Sequence, residues 1–355
     1  MSKIFYLKIA NEKTGLCNQI YSLASAICCC IKYNKNIIII SDFMKSIDTN
    51  NYIPISEIIN LDKLNLFLKK NNISLYDHNY LNISEMRVKY GRIDYNIDIT
   101  DKIKKTHNKI IIYKNTNINL LCQDPITNCT KKLFVSFYLN NTFFQFIYDE
   151  LNGCTTEDII FDFNNMTFNM MHNWDILQEK SYHDFFKKIL NNLEYSDNIK
   201  NMVHDNINNL QLHNYNGLIN VIHLRLEDDA INHWSAQNNM CCISFKNTLI
   251  NKYISEIEEN IDRNCITIIL SYSIDNEVIN YLRNNQYNYK INSKNTCIGR
   301  EINAIIDLSL GKLCNNVYIG PGTSTFTQCI INTLNNRKTI LFDFDHIMNN
   351  SKVVY

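Results

Sequence analysis

The sequence predicts an α/β protein with two doubly wound, Rossmann-like domains, and three observations carry that reading. The chain has 355 residues, more than one ordinary core of about 100–200 residues accommodates. Short apolar runs alternate with stretches of helical periodicity both in its first 41 residues and beyond residue 217. Its most distinctive polar motifs follow directly on strand-like runs, where open parallel sheets place their ligands.

The first strand is KIFYLKI at 3–9 and the second NIIIIS at 36–41. Between them, GLCNQIYSLASAICCCIKYNK spaces Ile20, Leu23, Ala24, Ile27 and Ile31 as one helical face opening near Gly15. Together these form a βαβ unit, which implies parallel pairing. The middle of the chain offers strands at 109–113 and 133–138 and a polar helical segment at about 178–210, amid Asn-rich stretches of no clear period. After NYNG the alternation returns, with strands at 218–224, 265–271, 316–320 and 339–344. Helices are expected at about 245–260, 275–284, 300–313 and 323–335. The resulting domains are 1–210 and 211–355.

Composition removes several functions. With 35 basic and 35 acidic side chains the formal charge is zero, so the basic footprint of a nucleic-acid or anionic-membrane binder is missing. Thirteen cysteines, with runs such as CCC at 28–30, show neither zinc-site spacing nor a disulfide framework. The start of the chain has no signal-peptide pattern, and the longest apolar run, IYSLASAICCCI, is shorter than the roughly 20 residues of a membrane span. The expectation is a cytoplasmic protein without a transmembrane segment. An Asn-, Ile- and Lys-rich composition with only 8 glycines suggests an AT-rich genome. Scarce glycines are then expected where a backbone cannot accept a Cβ.

Three constellations carry chemistry. TGLCNQIYSLASA sets Gly15 in a turn and Asn18 in the first turn of a helix, as a capping group or a ligand contact. In VIHLRLEDD, an apolar strand ends at His223 and Arg225, followed by Glu227, Asp228 and Asp229. An arginine there is a bidentate partner for phosphate oxygens; the acids can position an acceptor, take a proton, or pair with Arg225 as a strand cap. YIGPGTSTFTQC breaks a strand at Gly320, Pro321 and Gly322 and lines a helix start with Thr323, Ser324, Thr325 and Thr327, suited to an anion or to ordinary N-capping.

In order and wording these motifs resemble the fucosyltransferase superfamily, nearest to protein O-fucosyltransferases and the α1,2- and α1,6-fucosyltransferases. GLCNQ is similar to their G-x-x-N-Q helix, HLRLEDD to their H-x-R motif with a following acid, and GPGTSTFT to their C-terminal Ser-Thr-Phe loop. The resemblance implies a GT-B fold, two Rossmann-like domains facing across a cleft, and an inverting, metal-independent transfer of fucose from GDP-fucose to a glycan or protein hydroxyl. It implies Arg225 on the donor diphosphate with His223 beside it, and Gly322, Ser324, Thr325 and Phe326 around phosphate and nucleoside. Asp307 would lie beneath the nucleotide on a helix begun by Glu301, and Gly15 and Asn18 would face the acceptor. Asp229, Glu227 and Asp42 are the candidate bases. Two departures stand out: Cys17 where the family has a small glycine, and Leu226 where α1,2 enzymes double the arginine.

Other classes fit less well. Asp343 and Asp345 in LFDFDH spell DxD, yet Phe342 and Phe344 alternate with them as in a strand. A dinucleotide-dependent oxidoreductase needs GxGxxG after the first strand, and NEKTGLCNQ lacks it. A catalytically inert nucleotide- or glycan-binding module, or a transferase using another nucleotide sugar, stays open.

Overall fold

Strand Ile4–Lys8 sits between Ile37–Ser41 and Asn169–Met170 in a four-stranded parallel sheet completed by Ser74–Asp77. This is a computed structural model, and it describes residues 3–8, 15–41, 53–103, 108–122, 125, 129–166, 169–170, 174–292, 294, 298–334, 337–349 and 351–354. The four consecutive isoleucines of the second strand have a simple reason. Ile38 and Ile40 pack into a helical layer with Leu16, Leu23 and Ile27, while Ile37 and Ile39 pack into a second core on the other face. A strand buried on both faces reads as an unbroken apolar run.

That second core is closed by strands, not by more helices. Asn96–Asp98, Ile83–Gly91, Lys132–Leu139, Thr142–Leu151 and Cys154–Thr155 form, in this order, a five-stranded antiparallel sheet whose Tyr90, Phe137 and Phe146 point into it. The expected strands at 109–113 and 133–138 appear as Lys109–Ile112 and Lys132–Leu139. The expected long helix is two, Lys180–Asn192 and Asp197–Asn209.

The C-terminal sheet has the order Tyr289–Ile291, Ile266–Leu270, Ile219–His223, Val317–Pro321, Lys338–Phe342, Lys352–Val354, parallel except at the last strand. The chain winds outward from Ile219–His223 to one edge, then crosses back to Val317–Pro321. The crevice between those two strands is therefore the point where strand order reverses, the usual ligand position in such sheets. One core runs through both halves, joining Leu7, Ile20 and Ile38 to Leu270, Ile306 and Tyr318. Helix Leu16–Lys32 packs on Thr325–Ile331 and Arg300–Gly311, and Asp197–Asn209 also packs on Arg300–Gly311. Among the described residues, no helix is long and apolar enough to cross a membrane.

Candidate active site at the strand reversal

His223 ends its strand with a buried side chain. Its Nδ1 lies 2.9 Å from Thr327 Oγ1, and the Tyr318 hydroxyl donates to that same oxygen at 3.2 Å. The Phe326 ring packs on the imidazole with centroids 4.8 Å apart. Burial, and then the nearby charges of Arg225 and Lys294, push the His223 pKa down to about 3. The strand end is latched by Tyr253, a fully buried residue of helix Cys242–Asn260, whose hydroxyl donates to the His223 carbonyl at 2.7 Å and accepts from the Arg225 N–H at 3.4 Å. Gly320 is small for a reason: a Cβ there would come within 3.2 Å of His223 Cβ and 3.1 Å of the Tyr318 ring.

Arg225 is held by two carboxylates. Nη1 meets Glu227 Oε2 at 2.7 Å and Nη2 meets Asp229 Oδ2 at 2.8 Å, leaving the side chain 22% exposed. Burial disfavours its charge, but Glu227 and Asp229 outweigh burial and raise its pKa. Asp229 is opposed by burial in the other direction, and Arg225 with the Ala230 N–H and Arg300 holds its carboxyl below the usual range. The strand-capping ion pair is thus present, and it holds the guanidinium in place.

Near enough to His223 for Lys294 to act on its charge lies a second charged pair. Asp307, on the buried face of Arg300–Gly311, accepts from Asn292 Nδ2 at 3.1 Å and from the Lys294 ammonium. Burial raises the Asp307 pKa in spite of Lys294.

The loop at 320–327 meets the N-terminal half directly. Thr325 Oγ1 donates to Asn18 Oδ1 at 2.7 Å, so the first and third motifs touch. The Cys17 thiol, one residue away, hydrogen-bonds Cys329, and burial raises its pKa well above the ordinary thiol range. Ser324 caps its helix by position, but its hydroxyl makes no capping bond; Gly322 donates its N–H to Phe342 O at 2.8 Å. The helix it opens, Thr325–Ile331, is shorter than the expected 323–335. Gly15 corrects an expectation: its φ of −65° and ψ of 165° suit any residue, and nothing lies within 4 Å of a Cβ built there. Asp42 lies outside the described residues.

Sequence reasoning missed Lys294, Arg300 and Tyr253. The two cations carried no motif of their own; only their approach to Asp307 and Asp229 reveals them. Asp343 and Asp345 behave as strand-end residues: Asp343 Oδ1 accepts from the N–H groups of Asp345 and His346, and Phe342 and Phe344 are buried.

Fold and site together define a mixed α/β protein with parallel sheets, in which Arg225, Lys294 and Arg300 gather with the carboxylates of Glu227, Asp229 and Asp307 at the reversal of the C-terminal sheet. Over nearly its full length the chain is similar in structure to solved fucosyltransferases. The fucosyltransferase NodZ from Bradyrhizobium matches 99% of this chain and 98% of its own at 12% identity and a TM-score of 0.49. POFUT1 in complex with GDP-fucose matches 98% and 95% at 9% identity and 0.48. No family model and no curated protein matches the sequence.

Proposed function

We propose that the chain is an inverting, metal-independent glycosyltransferase that transfers fucose from GDP-fucose to a hydroxyl, with residues 211–355 holding the donor and 1–210 on the acceptor side. The observation that carries this is Arg225: a partly exposed side chain, fixed by two carboxylates, at the strand reversal two residues after His223, whose ring bonds Thr327 of the 320–327 loop. A diphosphate leaving group requires such a preorganised cation.

In the reaction the acceptor oxygen attacks the anomeric carbon as the bond from that carbon to the diphosphate oxygen breaks. The electron pair goes to the diphosphate, where Arg225 meets the growing charge and Lys294 and Arg300 add to the field. His223 stays neutral; with Tyr318 donating to Thr327 and Thr327 to Nδ1, the ring keeps its proton on Nε2 and presents it to a donor oxygen. Ser324, whose hydroxyl has no partner among the described residues, and the Gly322 turn leave room for phosphate and ribose beside Phe326. The acceptor proton passes to a carboxylate. Glu227 and Asp229, both bonded to Arg225, are the carboxylates placed to take it.

A second reading has its own support. Both carboxylates nearest Arg225 are already bonded to it, which suits an inert module that binds a nucleotide and transfers nothing. A thermal-shift panel of sugar nucleotides, followed by turnover assays, separates the two. GDP and GDP-fucose should raise Tm more than UDP counterparts, with transfer or slow hydrolysis of the sugar nucleotide. GDP binding without either reaction selects the inert module, and indifference to every nucleotide rejects both.

A further inference from the structure

Strands Lys132–Leu139 and Thr142–Leu151 form a hairpin whose turn is Asn140 and Asn141, with φ of 47° and 64°. A two-residue turn with both φ positive makes its flanking residues, Leu139 and Thr142, a hydrogen-bonded pair. Thr142, Phe144, Phe146 and Tyr148 therefore turn their N–H and C=O groups toward Lys132–Leu139, and Phe143, Gln145 and Ile147 turn theirs the other way. On that other side Cys154–Thr155 pairs only with Glu150 and Leu151, and the Thr156 hydroxyl donates to Asp149 O at 3.1 Å. Along residues 142–148 no strand pairs with this edge among the described residues.

A sheet edge is normally kept short, charged or covered. The edge strands Ser74–Asp77, Asn96–Asp98, Asn169–Met170, Tyr289–Ile291 and Lys352–Val354 have two to four residues, and all but Asn169–Met170 hold an Asp or a Lys. The edge at 142–148 has none of these protections. No charged residue, Pro or Gly occurs in residues 133–148, and Phe143 and Ile147 stand 53% and 49% exposed on its outer face.

The pattern of this edge is complementary to itself. Placed antiparallel about a twofold axis at Gln145, two copies set Phe143 of one opposite Ile147 of the other, and the free N–H and C=O groups of Phe143, Gln145 and Ile147 exchange hydrogen bonds. Within the hairpin Tyr138 lies opposite Phe143, and Phe134 opposite Ile147. An apolar row of Tyr138, Phe143, Ile147 and Phe134 would then cross both copies on each side of a polar row of Ser136 and Gln145, the kind of cross-strand pairing that stabilises a sheet. The two Asp149 carboxylates fall at opposite ends of the ladder, roughly 27 Å apart at about 3.4 Å per residue. A slip of two residues in either direction sets Gln145 opposite an apolar side chain, and in one of them Asp149 opposite Phe143. Thr142 of one copy faces Tyr148 of the other, so each turn stops short of Cys154–Thr155.

We propose that the edge at 142–148 is a self-association surface, covered by the same strand of a second copy of this chain so that one antiparallel sheet runs through both. The inference is independent of the transferase reading, since the edge uses no residue of the candidate site.

The test is light scattering on the full chain at about 1–100 μM, read against the mass of one and of two 41.7 kDa chains. The parent should move toward two chains as concentration rises, and hydrogen exchange of residues 142–148 should slow in step. Phe143→Lys with Ile147→Lys sets lysine against lysine and should be monomeric throughout. Phe143→Lys with Ile147→Glu sets opposite charges against each other and should associate at least about tenfold more tightly than the double-lysine variant at low salt. If either variant fails to fold, Gln145→Lys, which opposes its own copy across the axis, should by itself abolish the dimer. A parent that stays monomeric at every concentration overturns the proposal and leaves the edge to a strand of another protein. Equal association of the two double variants, or a dimer that survives Gln145→Lys, overturns it by assigning association to a different surface.

Discussion

Asn18 and Thr325, 307 residues apart in the chain, share a hydrogen bond of 2.7 Å from the threonine hydroxyl to the asparagine carbonyl oxygen. The bond ties the start of the N-terminal helix to the loop beside His223, so the two halves meet at the candidate site and not merely through their common core.

Breaking that bond should cost stability in a coupled way. Asn18→Ala and Thr325→Val are each expected to lower stability by about 1 kcal/mol, with the double variant losing clearly less than the sum. Urea denaturation of the four proteins measures this. Strict additivity would show that the contact contributes nothing of its own.

Arg225→Lys keeps a positive charge but loses the fork that reaches Glu227 and Asp229 at once. Turnover of a sugar nucleotide is expected to fall by about a hundredfold or more with the fold retained. A folded Arg225→Lys protein with parental turnover removes Arg225 from its assigned role.

Tyr253→Phe deletes the hydroxyl that bridges the His223 carbonyl and the Arg225 N–H. Leaving these groups unpaired beside a buried ring should cost about 1–3 kcal/mol, read as a lower denaturation midpoint. An unchanged midpoint would mean that water or another donor already serves the strand end.

The buried His223 makes stability depend on pH. Its folded pKa, about 3, lies below the unfolded 6.5, so the unfolded chain takes up the proton first. Stability is therefore full above pH 6.5 and falls as pH drops toward 3, by at most about 1.4 kcal/mol per pH unit from this residue. His223→Gln should flatten that slope between pH 6.5 and 5, relative to the parent. An identical slope in both proteins would mean that His223 is protonated in the native state.

The two best-placed glycines should respond differently. Gly320→Ala forces a methyl against His223 and Tyr318 and is expected to cost about 1–3 kcal/mol. Gly15→Ser, at an open helix N-cap with ordinary dihedrals, should be neutral or stabilising by up to about 1 kcal/mol. Equal effects in thermal melts would refute the distinction.

The sequence by itself determined the elements whose signal is local. Apolar runs such as Ile37–Ile40 and Ile266–Leu270 are strands because burial on both faces demands an unbroken apolar pattern, and the alternation with helices announced a parallel sheet. It also marked His223, Arg225 and the glycine-broken loop, since charge and missing Cβ atoms at strand ends are visible in one dimension. The antiparallel sheet escaped because Thr142–Leu151 carries exposed Phe143, Ile147 and Leu151 opposite its buried face, which blurs the period of two. Beyond the local Arg225 pairs with Glu227 and Asp229, tertiary structure alone decided which charges meet. Nothing in the spacing of Lys294, Asp307 and Arg300, or of Asn18 and Thr325, encodes their approach, because those distances follow from how sheets and helices pack and not from any local pattern.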